Sequence, residues 1–74
     1  MAYQQQQVPP RHSILRRREV QARTGLSRST IYQRVSDGTF PRPVKLGGRA
    51  VGWLDAEIQV WLAERIAASR KPAA

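Results

Sequence analysis

The sequence predicts a small, mainly α fold with one β-hairpin, in the order helix, helix, hairpin, helix. Two short helical segments are separated by Gly25-Leu26-Ser27, two short apolar runs flank Gly47-Gly48, and the last segment carries apolar residues at helical spacing. Turn residues and hydrophobic periodicity of this kind are the main local signals of such elements. With 74 residues, the chain has room for one domain and no second core.

The first helix is predicted from Arg17 to Thr24, directly after the apolar pair Ile14-Leu15. Glu19 and Arg23 stand four residues apart with the acid first, an arrangement that stabilises a helix. Gly25 is expected to end this helix, because glycine readily adopts the left-handed conformation found at helix ends.

The second helix is predicted from Arg28 to Asp37. Ser27 precedes it as a favourable N-cap, and Gly38 follows it as a helix end. Ile31 and Val35 stand four residues apart and form its inward face. The residues expected on the opposite face are Ser29, Gln33 and Ser36, with Thr30 and Tyr32 at its flanks. Two short helices joined by a three-residue turn are typical of a helix-turn-helix.

A β-hairpin is predicted between the second helix and the last one. The apolar runs Val44–Leu46 and Ala50–Trp53 flank Gly47-Gly48. A glycine pair between two such runs indicates a two-residue turn. This register would place Val44 opposite Val51.

The last helix is predicted from Ala56 to Ser69, with Asp55 as its cap. Residues 70–74 are predicted to be disordered, and so are residues 1–13, where four glutamines and two prolines supply nothing to bury. The folded domain is therefore expected to span residues 14–69. The apolar stripe expected to face the core consists of Ile58, Trp61, Leu62 and Ile66.

The distribution of charge indicates an anionic partner. The chain carries 13 Lys and Arg against 5 Asp and Glu, a net charge of +8, and 11 of those cations are Arg. Arg favours bidentate recognition of phosphate or guanine. Residues 1–53 hold ten of the cations and two acids, whereas residues 54–74 hold three of each. This asymmetry is typical of a nucleic-acid-binding surface backed by a structural element; a generally basic, solubilising surface is the alternative.

Composition excludes several classes of protein. With no Cys and a single His, His12, the sequence predicts no disulfide, no metal site, no cysteine catalysis and no cofactor. No apolar run approaches the roughly 18 residues of a membrane span. The carboxylates Asp55, Glu57 and Glu64 have no His or nucleophile beside them. Neither a catalytic residue nor an enzymatic activity is therefore predicted.

The start of the second helix is the most informative segment for function. Its outward side chains are hydroxyls, an Arg, a Gln and a Tyr, with no acid before Asp37. Such donors and acceptors suit base edges in the major groove of DNA. An ordinary polar helix face is the alternative, although such faces usually carry Glu and Lys pairs. The predicted base contacts are Arg28, Ser29, Thr30, Tyr32 and Gln33.

Two further groups of residues are expected to hold the DNA backbone. Cations at the start of the first helix oppose the helix dipole, which indicates that an external anion compensates them; a solvated helix start is the alternative. The predicted backbone contacts around this helix are Arg16, Arg17, Arg18, Arg23 and Ser27. The predicted contacts at the hairpin tip are Lys45, Gly47, Gly48 and Arg49.

Trp53 and Trp61 admit two interpretations. If exposed, they would be stacking platforms for single-stranded nucleic acid. However, Trp61 lies on the apolar stripe of the last helix, and Trp53 ends a predicted strand. A position in the core is therefore favoured for both.

The run from Leu15 to Leu62 resembles the AlpA family of small phage and mobile-element regulators. The matching pieces are Glu19-Val20, Thr24 to Tyr32, Gly38 to Gly47, Trp53, and Glu57 to Leu62. The resemblance implies a winged helix-turn-helix, similar to the MerR-type winged helix and to phage excisionases. It also implies that the second helix enters the major groove and that the hairpin lies as a wing on the backbone or minor groove. Members of the family activate integrase genes or bend DNA for a recombinase.

We therefore expect a sequence-specific double-stranded DNA-binding protein of a prophage or integrative element, located in the bacterial cytoplasm on the nucleoid. It would be a transcriptional regulator or an excisionase, with an integrase, a recombinase or RNA polymerase as candidate partners. The alternatives are a DNA-recognition module of a phage packaging complex and a basic RNA-binding protein with exposed aromatic side chains. Because no dimerisation helix follows the last element, we expect a monomer that associates on tandem DNA sites.

Overall fold

The computed structural model describes residues 12–72, which form three helices and a small antiparallel sheet. The mainly helical fold with a hairpin is confirmed, and it is compatible with a winged helix-turn-helix. The elements are β1 (Ile14–Leu15), α1 (Arg17–Thr24), α2 (Arg28–Asp37), β2 (Val44–Gly47), β3 (Ala50–Leu54) and α3 (Asp55–Ser69).

The two helices of the helix-turn-helix have the predicted bounds and caps. Gly25 and Gly38 end α1 and α2 in the left-handed region, with φ of 75° and 80°. The Oγ of Ser27 accepts a hydrogen bond from the backbone N–H of Thr30 at 3.2 Å, as an N-cap does. These local signals therefore fix both helices and the turn between them.

The sheet has three strands, because β1 pairs with β3 in addition to the predicted hairpin. The order is β1-β3-β2, with Ile14 opposite Leu54 and Leu15 opposite Trp53. A two-residue strand is too short to show alternation in a sequence, so β1 was not predicted. Its pairing brings the start of the chain's folded part onto the hairpin.

The predicted register of the hairpin is wrong by one residue. Val44 lies opposite Gly52 rather than Val51, Lys45 lies opposite Val51, and the turn residues are Gly48 and Arg49. A β-bulge between Lys45 and Gly47 leaves Leu46 as the extra residue on β2. This bulge lets the side chain of Leu46 lie over Gly52 on the sheet.

Gly52 lies on the middle strand, and residues of both neighbouring strands leave no space for a side chain there. A Cβ atom built there would overlap the Cγ2 of Ile14 and lie 3.1 Å from the backbone oxygen of Leu15. The Cδ1 of Leu46 would be 3.3 Å away. A side chain at this position would therefore separate β1 from β3.

The buried core draws on nearly every element of the fold. Each element except β2 contributes one buried side chain, and the connection between α2 and β2 contributes one more. Four half-buried side chains pack around them: Leu26, Val35, Trp61 and Leu62. The buried residues are Leu15, Val20, Ile31, Phe40, Trp53 and Ile58.

The two tryptophans attach the connection between α2 and β2 to the rest of the fold. The indole N–H of Trp53 donates to the carbonyl of Pro41 at 2.9 Å, and that of Trp61 donates to the carbonyl of Thr39 at 2.8 Å. The ring of Trp61 also meets that of Phe40 edge-on at 4.7 Å. Trp53 is fully buried and Trp61 half-buried, in agreement with their predicted core positions.

Two expectations for the last helix are wrong. Asp55 is its first residue rather than its cap, because the Asp55 carboxylate accepts a hydrogen bond from the Arg23 guanidinium at 2.7 Å instead of from the helix backbone. Ile66 is 50% exposed, so the stripe that faces the core ends at Leu62. The reason is size: within residues 12–72, the buried cluster does not extend to the last turns of α3.

Most of the predicted N-terminal arm, residues 1–13, lies outside the described residues, as do residues 73–74 of the predicted tail. Where the description begins, the carbonyl of Ser13 accepts a hydrogen bond from the N–H of Asp55 at 2.8 Å. Within residues 12–72, no helix is both long enough and apolar enough to cross a membrane.

Candidate nucleic-acid interface

The outward face of α2 is polar and exposed over its whole length. Ile31 is fully buried beneath it and Val35 is half-buried, so the helix is held from one side only. The opposite side carries Ser29 and Gln33, both exposed, as predicted. Its neutral amide and hydroxyl groups are exposed and can both donate and accept hydrogen bonds.

Hydroxyl groups are concentrated at the N-terminus of α2. The Oγ of Ser27 donates to the Oγ1 of Thr30 at 2.9 Å and lies 3.4 Å from the Oγ of Ser29. Ser27 thus caps the helix, and Thr30 is half-buried beside it. This cluster orders the first turn, where the backbone N–H groups and the positive end of the helix dipole attract anions.

A second edge of α2 borders the hairpin. The guanidinium of Arg28 lies 6.0 Å from the ring centroid of Tyr32, at the limit of a cation–π contact. Tyr32 is 38% exposed, and its ring meets that of Trp53 at 6.2 Å. Because Trp53 belongs to β3, this contact places the start of α2 beside the hairpin.

The cations around α1 are divided among different partners. Arg23 forms an ion pair with Asp55 at the start of α3, and Arg17 donates to Gln21 within its own helix. Arg16 donates from Nε to the carbonyl of Val51 at 3.0 Å. Arg18 is exposed on the surface of α1. The structure therefore separates these four residues, which the sequence suggested as one cluster.

The hairpin tip carries the predicted basic residues at its surface. Lys45, Gly47, Gly48 and Arg49 are all exposed. Because of the shifted register, Arg49 lies in the turn itself. Lys45 lies on β2, on the far side of the bulge from the turn. The tip thus presents two cations on a narrow backbone.

Two exposed residues near these surfaces were not among the predicted contacts. Ser36 lies seven residues after Ser29 on the same exposed face of α2, and that spacing was the signal that could have identified it. Arg42 is exposed in the connection between α2 and β2, where no periodicity marks it. A groove lies between residues 38–44 and α3, and none of the predicted contacts lines it.

Comparison with known proteins gives the family. The model of the family described as "Prophage CP4-57 regulatory protein (AlpA)" matches residues 13–66. That match covers β1, the helix-turn-helix, the hairpin and most of α3. This chain belongs to the AlpA family. The resemblance inferred from the motifs between Leu15 and Leu62 is therefore confirmed.

This AlpA-family chain is similar in sequence to a phage protein and to a bacterial protein. Over 58 residues, it is 49% identical to "Uncharacterized protein ORF88" of Enterobacteria phage P4, a match that covers 78% of this chain and 66% of the relative. It is 43% identical, again over 58 residues, to "DNA-binding transcriptional activator AlpA" of Escherichia coli K12, a match that covers 70% of this chain and 83% of the relative. The chain spans about two thirds of the phage protein's length.

Proposed function

We propose that this chain is a phage-associated regulator that binds double-stranded DNA in a sequence-specific manner. The observation that carries the proposal is the outward face of α2, which is polar, exposed, free of acids before Asp37 and fixed from behind by Ile31. A helix of this kind fits the major groove, where side chains near its start meet base edges. The relative named as a DNA-binding transcriptional activator supports the same conclusion.

In this proposal the outward face of α2 and the hairpin tip have different roles. Side chains of α2 read bases, while the cations of the hairpin tip contact phosphates and supply affinity without sequence information. The contact between Tyr32 and Trp53 supports a joint surface, since it joins α2 to the strand that leads from the tip. The residues proposed to read bases are Arg28, Ser29, Thr30, Tyr32 and Gln33; those proposed to contact the backbone are Arg16, Arg17, Arg18, Ser27, Lys45, Gly47, Gly48 and Arg49.

Single-stranded RNA is disfavoured as the ligand. Recognition of single strands requires exposed aromatic rings on which bases stack. Trp53 is fully buried, and the indole N–H of Trp61 is bonded to the protein's own backbone. Trp61 is also half-buried with its ring against Phe40, so neither tryptophan presents an open ring on which bases could stack.

We further propose that the chain acts on transcription of genes of its own mobile element, in the bacterial cytoplasm, with an integrase promoter as the candidate target. Excision of the element is the alternative role proposed for the same DNA-binding surface. A circular-permutation assay on attachment-site and promoter duplexes separates the two: an excisionase bends tandem attachment sites, whereas a regulator binds at the promoter.

The experiment that tests DNA reading begins with selection of duplexes from a random-sequence pool. Gln33→Ala and Arg28→Ala are then expected to weaken binding to the selected duplex by about 1–3 kcal/mol each, with little effect on a scrambled duplex. Lys45→Ala and Arg49→Ala should weaken both duplexes, and each should lower the salt slope of binding by about 0.9. Matched controls are Gln59→Ala on the exposed side of α3 and Arg70→Ala directly after its end.

Enrichment of no common sequence would contradict sequence-specific reading. Equal losses on the selected and scrambled duplexes for Gln33→Ala and Arg28→Ala would make α2 a phosphate clamp. In that case the bases would be read elsewhere, and the hairpin would be the next surface to test.

A further inference from the structure

Arg16 contacts both parts of the proposed DNA-binding surface. Its backbone N–H donates to the Oε1 of Glu19 at 2.9 Å, and its carbonyl accepts from the N–H of Val20 at 3.0 Å, so its main chain is fixed at the start of α1. Its side chain reaches in the other direction, where Nε donates to the carbonyl of Val51 in β3 at 3.0 Å. One residue therefore joins the helix-turn-helix to the hairpin.

The position of this bond follows from the length of β1. That strand ends at Leu15, opposite Trp53, so it does not extend along β3 as far as Val51. The side chain of Arg16 supplies a donor to β3 beyond the end of the strand. Val51 lies opposite Lys45 and two residues from Arg49, so the bond is made close to the basic tip.

The other basic residues of this region do not make such a bond. Arg17 donates to Gln21 in its own helix, and Arg23 pairs with Asp55 in α3. These side-chain contacts stabilise α1 and join it to α3, but neither of them reaches the hairpin.

We propose that Arg16 is a positioning residue that fixes the hairpin relative to the helix-turn-helix, so that the tip and α2 engage one duplex together. This inference rests on the proposed function. It gives Arg16 a role beyond the phosphate contact proposed from its charge, because the Nε–H is directed at the protein's own backbone.

Arg16→Lys distinguishes the two roles. Lys retains the positive charge but has no N–H group at the Nε position and no planar fork. A residue that only attracts phosphate tolerates this change, whereas a residue that holds the hairpin through Nε does not. Arg70→Lys is the matched control, because Arg70 is an exposed Arg outside the proposed DNA-binding surface.

The test combines binding and a measurement on the free chain. Arg16→Lys is expected to weaken duplex binding on the order of fivefold, because a released hairpin tip holds the phosphates less well, while Arg70→Lys has little effect. Arg49→Ala should weaken binding in the wild-type background and much less in the Arg16→Lys background, since the hairpin is already released. In the free chain, Arg16→Lys should speed amide hydrogen exchange and shift the NMR signals of Gly48 and Arg49, with no such change in Arg70→Lys.

Wild-type binding by Arg16→Lys, or an equal cost of Arg49→Ala in both backgrounds, would overturn the proposed role. Unchanged hydrogen exchange at Gly48 and Arg49 would overturn it independently of DNA. A wild-type chain that binds no duplex would instead overturn the proposed function, and the exchange measurement would still report whether Arg16 holds the hairpin. Thermal unfolding of each variant shows whether any loss arises from global instability.

Discussion

Replacement of Gly52 by Ala is expected to destabilise the fold through one defined contact between strands. The new Cβ would overlap the Cγ2 of Ile14 and lie 3.1 Å from the carbonyl oxygen of Leu15. Because Cγ2 is bonded directly to the Cβ of Ile14, it cannot move aside as the end of a long side chain would. The backbone of β1 must therefore shift away from β3.

The size of the effect follows from the two neighbours. Overpacking generally costs about 1–3 kcal/mol, and we expect the upper half of that range because a backbone atom is involved as well as a side chain. A domain of this size has about 3–5 kcal/mol of stability in total. Gly52→Ala should therefore remove about half of the free energy of unfolding.

Urea unfolding, followed by tryptophan fluorescence and circular dichroism, measures this change. Ile14→Ala removes Cγ2 and should cost about 1–2 kcal/mol by itself, since Ile14 is only half-buried. The double variant should be at least about 1 kcal/mol more stable than the sum of the two single changes predicts. Additive losses, or a wild-type stability for Gly52→Ala, would show that Ile14 does not exclude a side chain at this position.

Two other changes test the contacts of α3. Asp55→Asn breaks the ion pair with Arg23. Because this ion pair is partly exposed, the change should cost at most about 1 kcal/mol in stability. The same change releases the Arg23 guanidinium, so the salt slope of DNA binding should rise by up to about 0.9. An unchanged slope would mean that Arg23 lies away from DNA. Trp61→Ala should cost about 2–3 kcal/mol in stability, below the usual range for a fully buried aromatic residue, because Trp61 is half-buried. Trp61→Phe loses the hydrogen bond to Thr39 but keeps a ring beside Phe40. This second variant should therefore cost about half as much. Equal losses in the two variants would assign the stabilisation to that hydrogen bond alone.

Local chemistry allowed the helix-turn-helix to be predicted in full. A capping serine, two helix-ending glycines and the spacing of Ile31 and Val35 act within a few residues of one another. Such signals depend little on the rest of the fold, so the bounds of α1 and α2 agree with the structure. The exposed polar face of α2 follows directly from the same periodicity.

Pairings between distant residues were less accessible to sequence reasoning. The strand β1, the bulge at Leu46 and the bond from Arg16 to Val51 all depend on where β3 lies in space. Likewise, the carboxylate of Asp55 was expected to cap its own helix, but it accepts a hydrogen bond from the guanidinium of Arg23, 32 residues away, instead. Sequence therefore suggested basic residues for the candidate interface but not which of them the fold itself uses.

The two indole hydrogen bonds fix the length of the chain between α2 and the hairpin. Trp53 and Trp61 bind the carbonyls of Pro41 and Thr39, which are only two residues apart. One inserted residue lengthens an extended chain by about 3.3–3.6 Å, more than a hydrogen bond can stretch, so an insertion between these carbonyls detaches one indole. Insertions and deletions in this fold are therefore expected to be tolerated at the hairpin tip and rejected in the connection, which acts as a spacer of fixed size between the two surfaces.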